Sequence, residues 1–183
     1  YMMQKSYKKC IVHIQDEMAK RTKGKYNGYQ VKEEGQNAKY FITTRNKVPF
    51  SNIAQYYTQN IAAIYQRVQQ EGISTVGAPN SLFYTYDEVK MEADMAVGVQ
   101  VLSPLNIKDL SAEAIPAQNA IVVDYFGDYA KTGEGHIAAD GYMKDRNMPQ
   151  SFPVLEEYIT DPIKEKDMSK WQTKIYYFIK TAK

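Results

Sequence analysis

Hydrophobic residues recur at intervals of three and four in two early segments, and this spacing predicts two helices. The first covers residues 1–22, where a stripe of apolar side chains is flanked by lysines and arginines. The second starts at an N-cap, Ser51, runs to about Glu71 and stops at Gly72. Five of its side chains lie on one face: Ile53, Tyr57, Ile61, Ile64 and Val68.

Stretches rich in β-branched and aromatic residues predict six strands in the rest of the chain. Three are predicted at residues 40–47, 81–86 and 93–102, with a turn at 77–80, and three at 119–126, 153–160 and 171–180. The glycine-containing stretch 127–148 predicts a helix. Each half therefore has the order strand–helix–strand–strand. The matching order and spacing predict an α+β fold of two pseudo-symmetric repeats with a central cleft at their join.

The charge balance and the few metal-ligating residues exclude several functions. Among 183 residues there are 23 Lys+Arg and 21 Asp+Glu, a formal net charge of +2. A dedicated nucleic-acid binder carries a basic stripe, so we expect no direct nucleic-acid contact from this segment. No apolar run approaches 18 residues, and no membrane span is expected. Because Cys10 is the only cysteine and His13 and His136 the only histidines, we expect no metal and no cofactor.

Tyrosine is the unusual residue of this composition. There are 16 tyrosines, against 6 phenylalanines and 1 tryptophan. A tyrosine ring with its polar tip suits the wall of a ligand pocket. It equally suits an ordinary strand, where tyrosine is a good strand former. Both interpretations stay open for each tyrosine.

The sequence of the N-terminal part predicts a helix and linker that are separate from the main domain. Residues 22–28 are polar and contain two glycines, which is typical of a linker. A helix-turn-helix needs two or three helices, and only one is visible here. We therefore divide the chain into an N-terminal helix and linker, residues 1–30, and a main domain, residues 31–183. Since the chain starts with Tyr1, a DNA-binding, START-like or membrane segment before it stays open.

Five segments carry a family resemblance through their order and spacing. They are residues 71–73 (EGI) together with 77–79 (GAP), 82–87 (LFYTYD), 125–129 (YFGDY), 156–162 (EEYITDP) and 171–179 (WQTKIYYFI). With them, the chain from about residue 31 to 179 resembles the GyrI-like, or AraC-type, bacterial effector-binding domains. The first 22 residues more weakly resemble the last helix of a START-like (SRPBCC) domain, which precedes this module in some bacterial chains.

The resemblance implies two strand–helix–strand–strand units around a shared cleft that binds small, lipophilic and aromatic molecules. Some members of the family are fused to DNA-binding heads and act as drug-sensing regulators. Others stand alone and sequester or bind toxins, and one branch is reported to hydrolyse cyclopropane-bearing toxins. We therefore expect a small-molecule ligand, bound in the cleft for sensing or sequestration.

One departure from the family changes the expected charge preference. Many members have Thr-Glu-Ile-Tyr in the last strand, whereas residues 173–176 here are Thr-Lys-Ile-Tyr. A lysine in a cleft needs a nearby acid, and Glu157 is the first candidate and Asp124 the second. The alternative is that Lys174 extends to solvent from a sheet edge. If Lys174 lies in the cleft, the domain prefers neutral or anionic ligands over cationic ones.

Strand alternation and the resemblance together select the candidate ligand-binding residues. In the last strand, Lys174 and Tyr176 share the face that suits a cleft wall, and Ile175 and Tyr177 share the face packed under the helices. For each tyrosine among the candidates, the alternative is a packed core residue. The full candidate set is Tyr84, Tyr86, Asp124, Phe126, Glu157, Tyr158, Trp171, Lys174 and Tyr176.

Catalysis and partner binding stay open as alternatives. Glu156 and Glu157 are adjacent in a strand and point to opposite faces, so they make no two-acid catalytic pair. A hydrolase would use an inward Glu157 beside Tyr158, and we expect His136 on a helix surface or boundary rather than as a base. An inhibitory protein-interaction module is the other alternative. We expect a cytoplasmic protein, with an anchored extracytoplasmic domain and a homodimer also open.

Overall fold

The structure is a computed structural model, and it describes residues 24–179. Within this range there are nine strands and two α-helices. The helices are α1 (Ile53–Gln70) and α2 (Gly133–Asp145). The strands are β1 (Lys25–Tyr26), β2 (Tyr29–Gln36), β3 (Lys39–Pro49), β4 (Thr75–Asp87), β5 (Glu92–Val101), β6 (Ser111–Ile115), β7 (Gln118–Phe126), β8 (Val154–Tyr158) and β9 (Gln172–Phe178).

The nine strands form one antiparallel sheet in the order β1-β2-β7-β9-β8-β4-β5-β3-β6. The predicted α+β class is confirmed, and the six predicted strands correspond to β3, β4, β5, β7, β8 and β9. In each half, the last of the three strands lies between the other two, and the halves meet where β8 pairs with β4. That the halves arose by duplication stays a prediction.

Both helices pack on the same face of the sheet. One row of directly paired residues crosses the middle strands in the order Ile175, Glu156, Ser81, Val97. Directly paired residues share a face. Ile175 lies in the core under α2 and Val97 in the core under α1, so both cores are on the face that Glu156 and Ser81 occupy. The floor between the helices therefore consists of β8 and β4.

The sheet curves so strongly that the face opposite the helices packs against itself. We call this side of the sheet the curled face. Lys39 Nζ on β3 lies 5.4 Å from the centre of the Tyr176 ring on β9. These strands are four positions apart, which is about 19 Å in a flat sheet. The curled face holds a second core without a helix: Phe41, Leu82, Ala96, Ile115, Ala120, Val122, Leu155, Tyr176 and Phe178.

The ends of α1 show one confirmed prediction and two corrections. Gly72 has φ +67°, which favours glycine, and Ile73 N–H donates to the Val68 carbonyl at 2.9 Å, so the predicted stop is confirmed. The N-cap position is Asn52 rather than Ser51, because a 3-10 turn, Phe50–Asn52, precedes the helix, and the Asn52 side chain makes no capping hydrogen bond. The turn predicted at 77–80 is instead an irregular part of β4, where the register with β5 shifts.

The N-terminal predictions are only partly within the structure. The helix predicted for residues 1–22, with its START-like resemblance, lies outside the described residues. The expected boundary after residue 30 falls inside β2, and Tyr26 of β1 is buried in the core under α2. Residues 25–30 are therefore part of the sheet. Neither of the helices in the described range is long and apolar enough to cross a membrane.

Candidate functional site

A buried carboxylate lies on the floor between the two helices. Glu156 of β8 is only 3% exposed. The hydroxyl of Tyr158 donates to Glu156 Oε2 at 2.6 Å, and His136 Nε2 lies 2.6 Å from Glu156 Oε1. Strand alternation explains why Glu156 and Tyr158, two residues apart, share this face. Burial of a carboxylate is costly unless its oxygens have such partners.

The partners of Glu156 are themselves hydrogen-bonded, so the floor is a connected polar network. His136 comes from α2, and its Nδ1 lies 2.7 Å from the hydroxyl of Tyr177 on β9. The Tyr158 hydroxyl also lies 3.1 Å from Ser81 Oγ on β4. One helix and three strands thus hold the carboxylate in place. Its orientation is fixed by the scaffold rather than by a flexible loop.

Four aromatic rings cover this floor. Tyr57 of α1 lies 4.9 Å from Tyr158 in an edge-to-face arrangement, measured between ring centres. Tyr129, in a 3-10 turn before α2, lies 5.3 Å from Tyr158 and 4.9 Å from Trp171. We call these four residues, with Glu156 beneath them, the aromatic groove.

Hydrogen bonds position the outer rings of the aromatic groove. The Asp128 side chain accepts from Ala130 N–H at 3.0 Å and caps the turn that carries Tyr129. The Tyr129 hydroxyl donates to the carbonyl of Thr160. The indole N–H of Trp171 donates to the carbonyl of Glu165 at 2.9 Å. The polar tips of these two rings are therefore satisfied by the protein, and the rings pack against each other.

The tyrosines of the site are un-ionised at neutral pH. Burial, followed by the charge of Glu156, raises the pKa of Tyr158 well above its ordinary value. Burial also raises the pKa of Tyr57 and of Tyr177, and it raises the pKa of Tyr129 to about 12. These hydroxyls therefore act as hydrogen-bond donors and acceptors and carry no charge.

The structure brings two of the sequence-predicted site residues to the aromatic groove, Tyr158 and Trp171. Four others lie on the curled face: Asp124, Glu157, Lys174 and Tyr176. Asp124 and Glu157 both pair with Lys174, one residue along from the pair Glu156–Ile175, so their side chains point to the opposite face of the sheet. There the Tyr176 hydroxyl donates to Glu157 at 2.9 Å, and Lys32 pairs with Asp124 at 3.3 Å. The expected grouping of Glu157 and Lys174 with Tyr158 is wrong, since Tyr158 is on the opposite face.

The remaining three predicted residues are not among the four rings of the aromatic groove. Tyr84 lies on the curled face, and the guanidinium carbon of Arg45 stacks over it, 3.4 Å from the centre of the Tyr84 ring. Tyr86 is 57% exposed and stacks on Phe50 at 4.1 Å. Phe126 is 52% exposed at the end of β7. Whether any of these residues binds a ligand stays a prediction.

Sequence reasoning missed four residues of the site: Tyr57, Tyr129, His136 and Glu156. His136 lies at the boundary, as expected, with its side chain 25% exposed. Its two contacts were not expected: both ring nitrogens are within hydrogen-bond distance of buried groups. Tyr57 was identified only as part of the apolar stripe of its helix. The signal available was the spacing of Glu156 and Tyr158, which places an acid and a tyrosine side by side on one strand face.

Two further features bear on possible ligands. No group of three or more His, Cys, Asp or Glu side chains that could hold a metal ion occurs within residues 24–179.

A shallow depression of about 260 Å³ lies between the end of β3 and the start of α1. Its lining is largely polar and includes Asn46, Asn52, Gln55 and Gln59. It lacks the buried charge and the ring faces that distinguish the aromatic groove.

The chain matches no protein-family model and no curated protein, but it does match solved structures. EcmrR in its complex with DNA is 18% identical, with a TM-score of 0.76, and the match covers 99% of this chain and 69% of EcmrR. The EcmrR C-terminal domain is 19% identical, with a TM-score of 0.74, over 84% of this chain and 99% of that domain.

Two other structures are more distant. SAV2435 bound to tetraphenylphosphonium is 16% identical, with a TM-score of 0.54, over 83% of this chain and 93% of SAV2435. A hydrolase from Listeria innocua is 10% identical, with a TM-score of 0.56, over 82% of this chain and 91% of the hydrolase. At these identities the matches establish the fold. The described domain has the GyrI-like fold that the sequence resemblance implied.

Proposed function

We propose that this protein binds a small aromatic or amphipathic molecule in the aromatic groove, for sensing or sequestration. The observation that carries the proposal is the set of four rings over the buried carboxylate of Glu156, between α1 and α2. Ligand sites in proteins combine apolar and aromatic walls with a few fixed polar groups. The fold shared with EcmrR and with SAV2435, which is bound to tetraphenylphosphonium, supports the same interpretation.

The rings of the groove contact one another in this structure, so a ligand enters by separating them. The ring centres are 4.9–5.3 Å apart, which is the range of favourable aromatic pairs. A ligand has to replace these ring–ring contacts with contacts of equal quality. An aromatic ligand does so, whereas a small polar molecule does not. This favours aromatic ligands over sugars, phosphates or amino acids.

The charge in the groove favours neutral or cationic ligands over anions. The expected preference for neutral or anionic ligands over cationic ones depended on Lys174 lying in the cleft, but Lys174 is on the curled face. The acid on the floor is Glu156, and ring faces also attract cations. A buried anion beside Glu156 would be unpaired and therefore costly. SAV2435 is bound to a lipophilic cation, which supports this assignment.

Three probes of similar size and different charge test the proposal: tetraphenylphosphonium, triphenylphosphine oxide and tetraphenylborate. Trp171 is the only tryptophan, so its fluorescence reports on the groove. At pH 8 we expect the first two probes to change its emission in a saturable way and the borate to bind at least tenfold more weakly. Tyr158→Ala should weaken phosphonium binding. Lys174→Met, on the curled face, is the matched control and should leave it unchanged.

Two results would contradict this assignment. One is stronger binding of tetraphenylborate than of tetraphenylphosphonium. The other is a loss of binding in Lys174→Met together with unchanged binding in Tyr158→Ala, which would move the site to the curled face. Absence of saturable binding by all three probes would reject the proposed function itself.

A hydrolase is the second candidate function, because Glu156 is a buried carboxylate held in place by hydrogen-bond partners. A buried carboxylate, oriented by His136 and Tyr158, can activate a water molecule toward a strained electrophile. The neighbour from Listeria innocua described as a hydrolase supports keeping this alternative. Incubation with styrene oxide, followed by chromatography for the diol, is a direct test. Turnover that disappears in Glu156→Gln would favour the enzyme, and no turnover would favour binding alone.

A further inference from the structure

His136 and Glu156 share a proton beneath the aromatic groove. Their nearest atoms, Nε2 and Oε1, are 2.6 Å apart, and such a contact requires a hydrogen between them. Glu156 is 3% exposed, so water cannot replace this partner. The Tyr158 hydroxyl donates to the other carboxylate oxygen at 2.6 Å. The charge presented to a ligand therefore depends on how many protons the His136–Glu156 pair holds.

Tyr177 allows His136 to hold one proton or two without moving. Its hydroxyl lies 2.7 Å from His136 Nδ1. When the ring is neutral, Tyr177 donates to Nδ1 and Nε2–H donates to Glu156. When the ring is protonated, Nδ1–H donates to the Tyr177 oxygen, because a hydroxyl both donates and accepts. Both states of the ring are hydrogen-bonded, so proton uptake needs only a rotation of the hydroxyl hydrogen.

The tyrosines that face this pair stay uncharged across neutral pH. Tyr158 from β8, Tyr177 from β9, Tyr57 from α1 and Tyr86 from β4 all have a pKa raised by burial, so they stay un-ionised. Asp140 lies one turn further along α2. Burial raises the pKa of its carboxyl, and the charge of His136 opposes that shift. An imidazole is the side chain that ordinarily changes charge between pH 5 and 8.

We propose that the aromatic groove exchanges a proton for a cation, so that His136 sets the pH at which cationic ligands bind. This inference rests on the proposed function. With His136 protonated, the pair is neutral and a cation entering the groove finds no net charge. With His136 neutral, the pair carries one negative charge and attracts the cation. Cation affinity therefore rises with pH, by up to about tenfold per unit, while neutral ligands are unaffected.

Calorimetry with two probes tests this exchange in the intact protein. Tetraphenylphosphonium and the neutral triphenylphosphine oxide are titrated between pH 5.5 and 8.5, in buffers of low and high ionisation enthalpy. For the phosphonium we expect a rising affinity and, at acidic pH, release of up to one proton per molecule bound. For the neutral probe we expect a flat profile and no proton release.

Variants identify the group responsible. His136→Gln replaces the imidazole by an amide that still donates to Glu156 but does not titrate, so the phosphonium profile should become flat at its high-pH affinity. Asp140→Asn removes the neighbouring carboxyl and should keep the slope. A nuclear magnetic resonance titration of wild-type His136 needs no variant, and its pKa should fall when the phosphonium is bound.

The outcomes separate this inference from the proposed function. If both probes bind with flat profiles, or if His136→Gln keeps the slope, the proton exchange is rejected and the ligand site stands. An unchanged pKa of His136 in the phosphonium complex would also reject it. If neither probe binds at any pH, the proposed function is rejected and the exchange with it.

Discussion

Glu156 and Glu157 are neighbours in the chain with opposite environments, which makes them a natural pair for comparison. Glu156 → Ala would leave His136 Nε2 and the Tyr158 hydroxyl without their shared partner, so we expect a loss of about 1–3 kcal/mol in the free energy of unfolding. Glu156→Gln should cost less, because an amide keeps both contacts. Urea denaturation at pH 7 measures these differences.

Glu157→Ala is the matched control for that prediction. Glu157 is half-buried, and it accepts one hydrogen bond, from Tyr176 at 2.9 Å. We expect a smaller loss of stability than for Glu156→Ala. If the two losses were equal or reversed, the network under the aromatic groove would not be the better ordered of the two environments.

The same two residues show what the sequence reveals at this scale and where it stops. Alternation along β8 predicts that Glu156 and Glu157 point to opposite faces, and they do. It does not say which face lies between the helices, because that depends on the pairing of strands distant in sequence. The family pattern at Lys174 led to Glu157 as the partner. Tyr129 carries no periodic signal, since it lies in a short turn.

Strands β3 and β5 approach each other closely at Gly98, which makes a prediction at the scale of the element. A Cβ at this position would lie 2.3 Å from the Ile42 carbonyl oxygen, and the backbone cannot move aside without breaking the pairing. We expect Gly98→Ala to destabilise the protein by about 3 kcal/mol, the upper end for overpacking. The measurement is the midpoint of thermal or urea unfolding.

Gly35→Ala on β2 is the control for this substitution. Its Cβ would meet only the Asn119 side chain at 3.7 Å, an ordinary contact. Loss of chain freedom in the unfolded state should make it neutral or stabilising by about 0.4–1 kcal/mol. Equal effects of the two substitutions would mean that the close approach of β3 and β5 is absent.

The sequence predicts correctly those strands whose apolar composition fits a buried position in the sheet. Six strands rich in β-branched and aromatic residues were found, because they have at least one buried face. β2 was missed because much of it is charged or polar and exposed beside β7. β6 was missed because it is short and lies at the edge of the sheet. The irregularity at 77–80 has the glycine and proline of a turn but lies within β4.

At the scale of the whole molecule, the curl of the sheet decides which face can hold a ligand. Phe178 lies on the face that sequence alternation assigned to a cleft wall, yet it is only 2% exposed in the second core. We expect Phe178→Ala to cost about 3–5 kcal/mol of unfolding free energy, as truncation of a packed aromatic residue does. Denaturant unfolding gives the value, and a cost below about 1 kcal/mol would indicate an open cleft there.

The fold class followed from local patterns together with the family resemblance, but the location of the site did not. The strand order and the shared face of the helices arise from pairing between strands that are distant along the chain. Local sequence patterns do not reveal which distant strands pair. The curl of the sheet fills the face that carries Lys174 with Phe41, Leu82 and Phe178. The predicted preference for neutral or anionic ligands over cationic ones depended on that face being open.

The most direct measurement is a crystal structure of the protein with tetraphenylphosphonium, grown at pH 8 and compared with unliganded crystals of the same form. We expect density for the phosphonium between Tyr57, Tyr129, Tyr158 and Trp171, with its charge within about 6 Å of the ring centres and above Glu156. Density on the curled face beside Lys174 and Glu157, with the four rings still in contact, would contradict it.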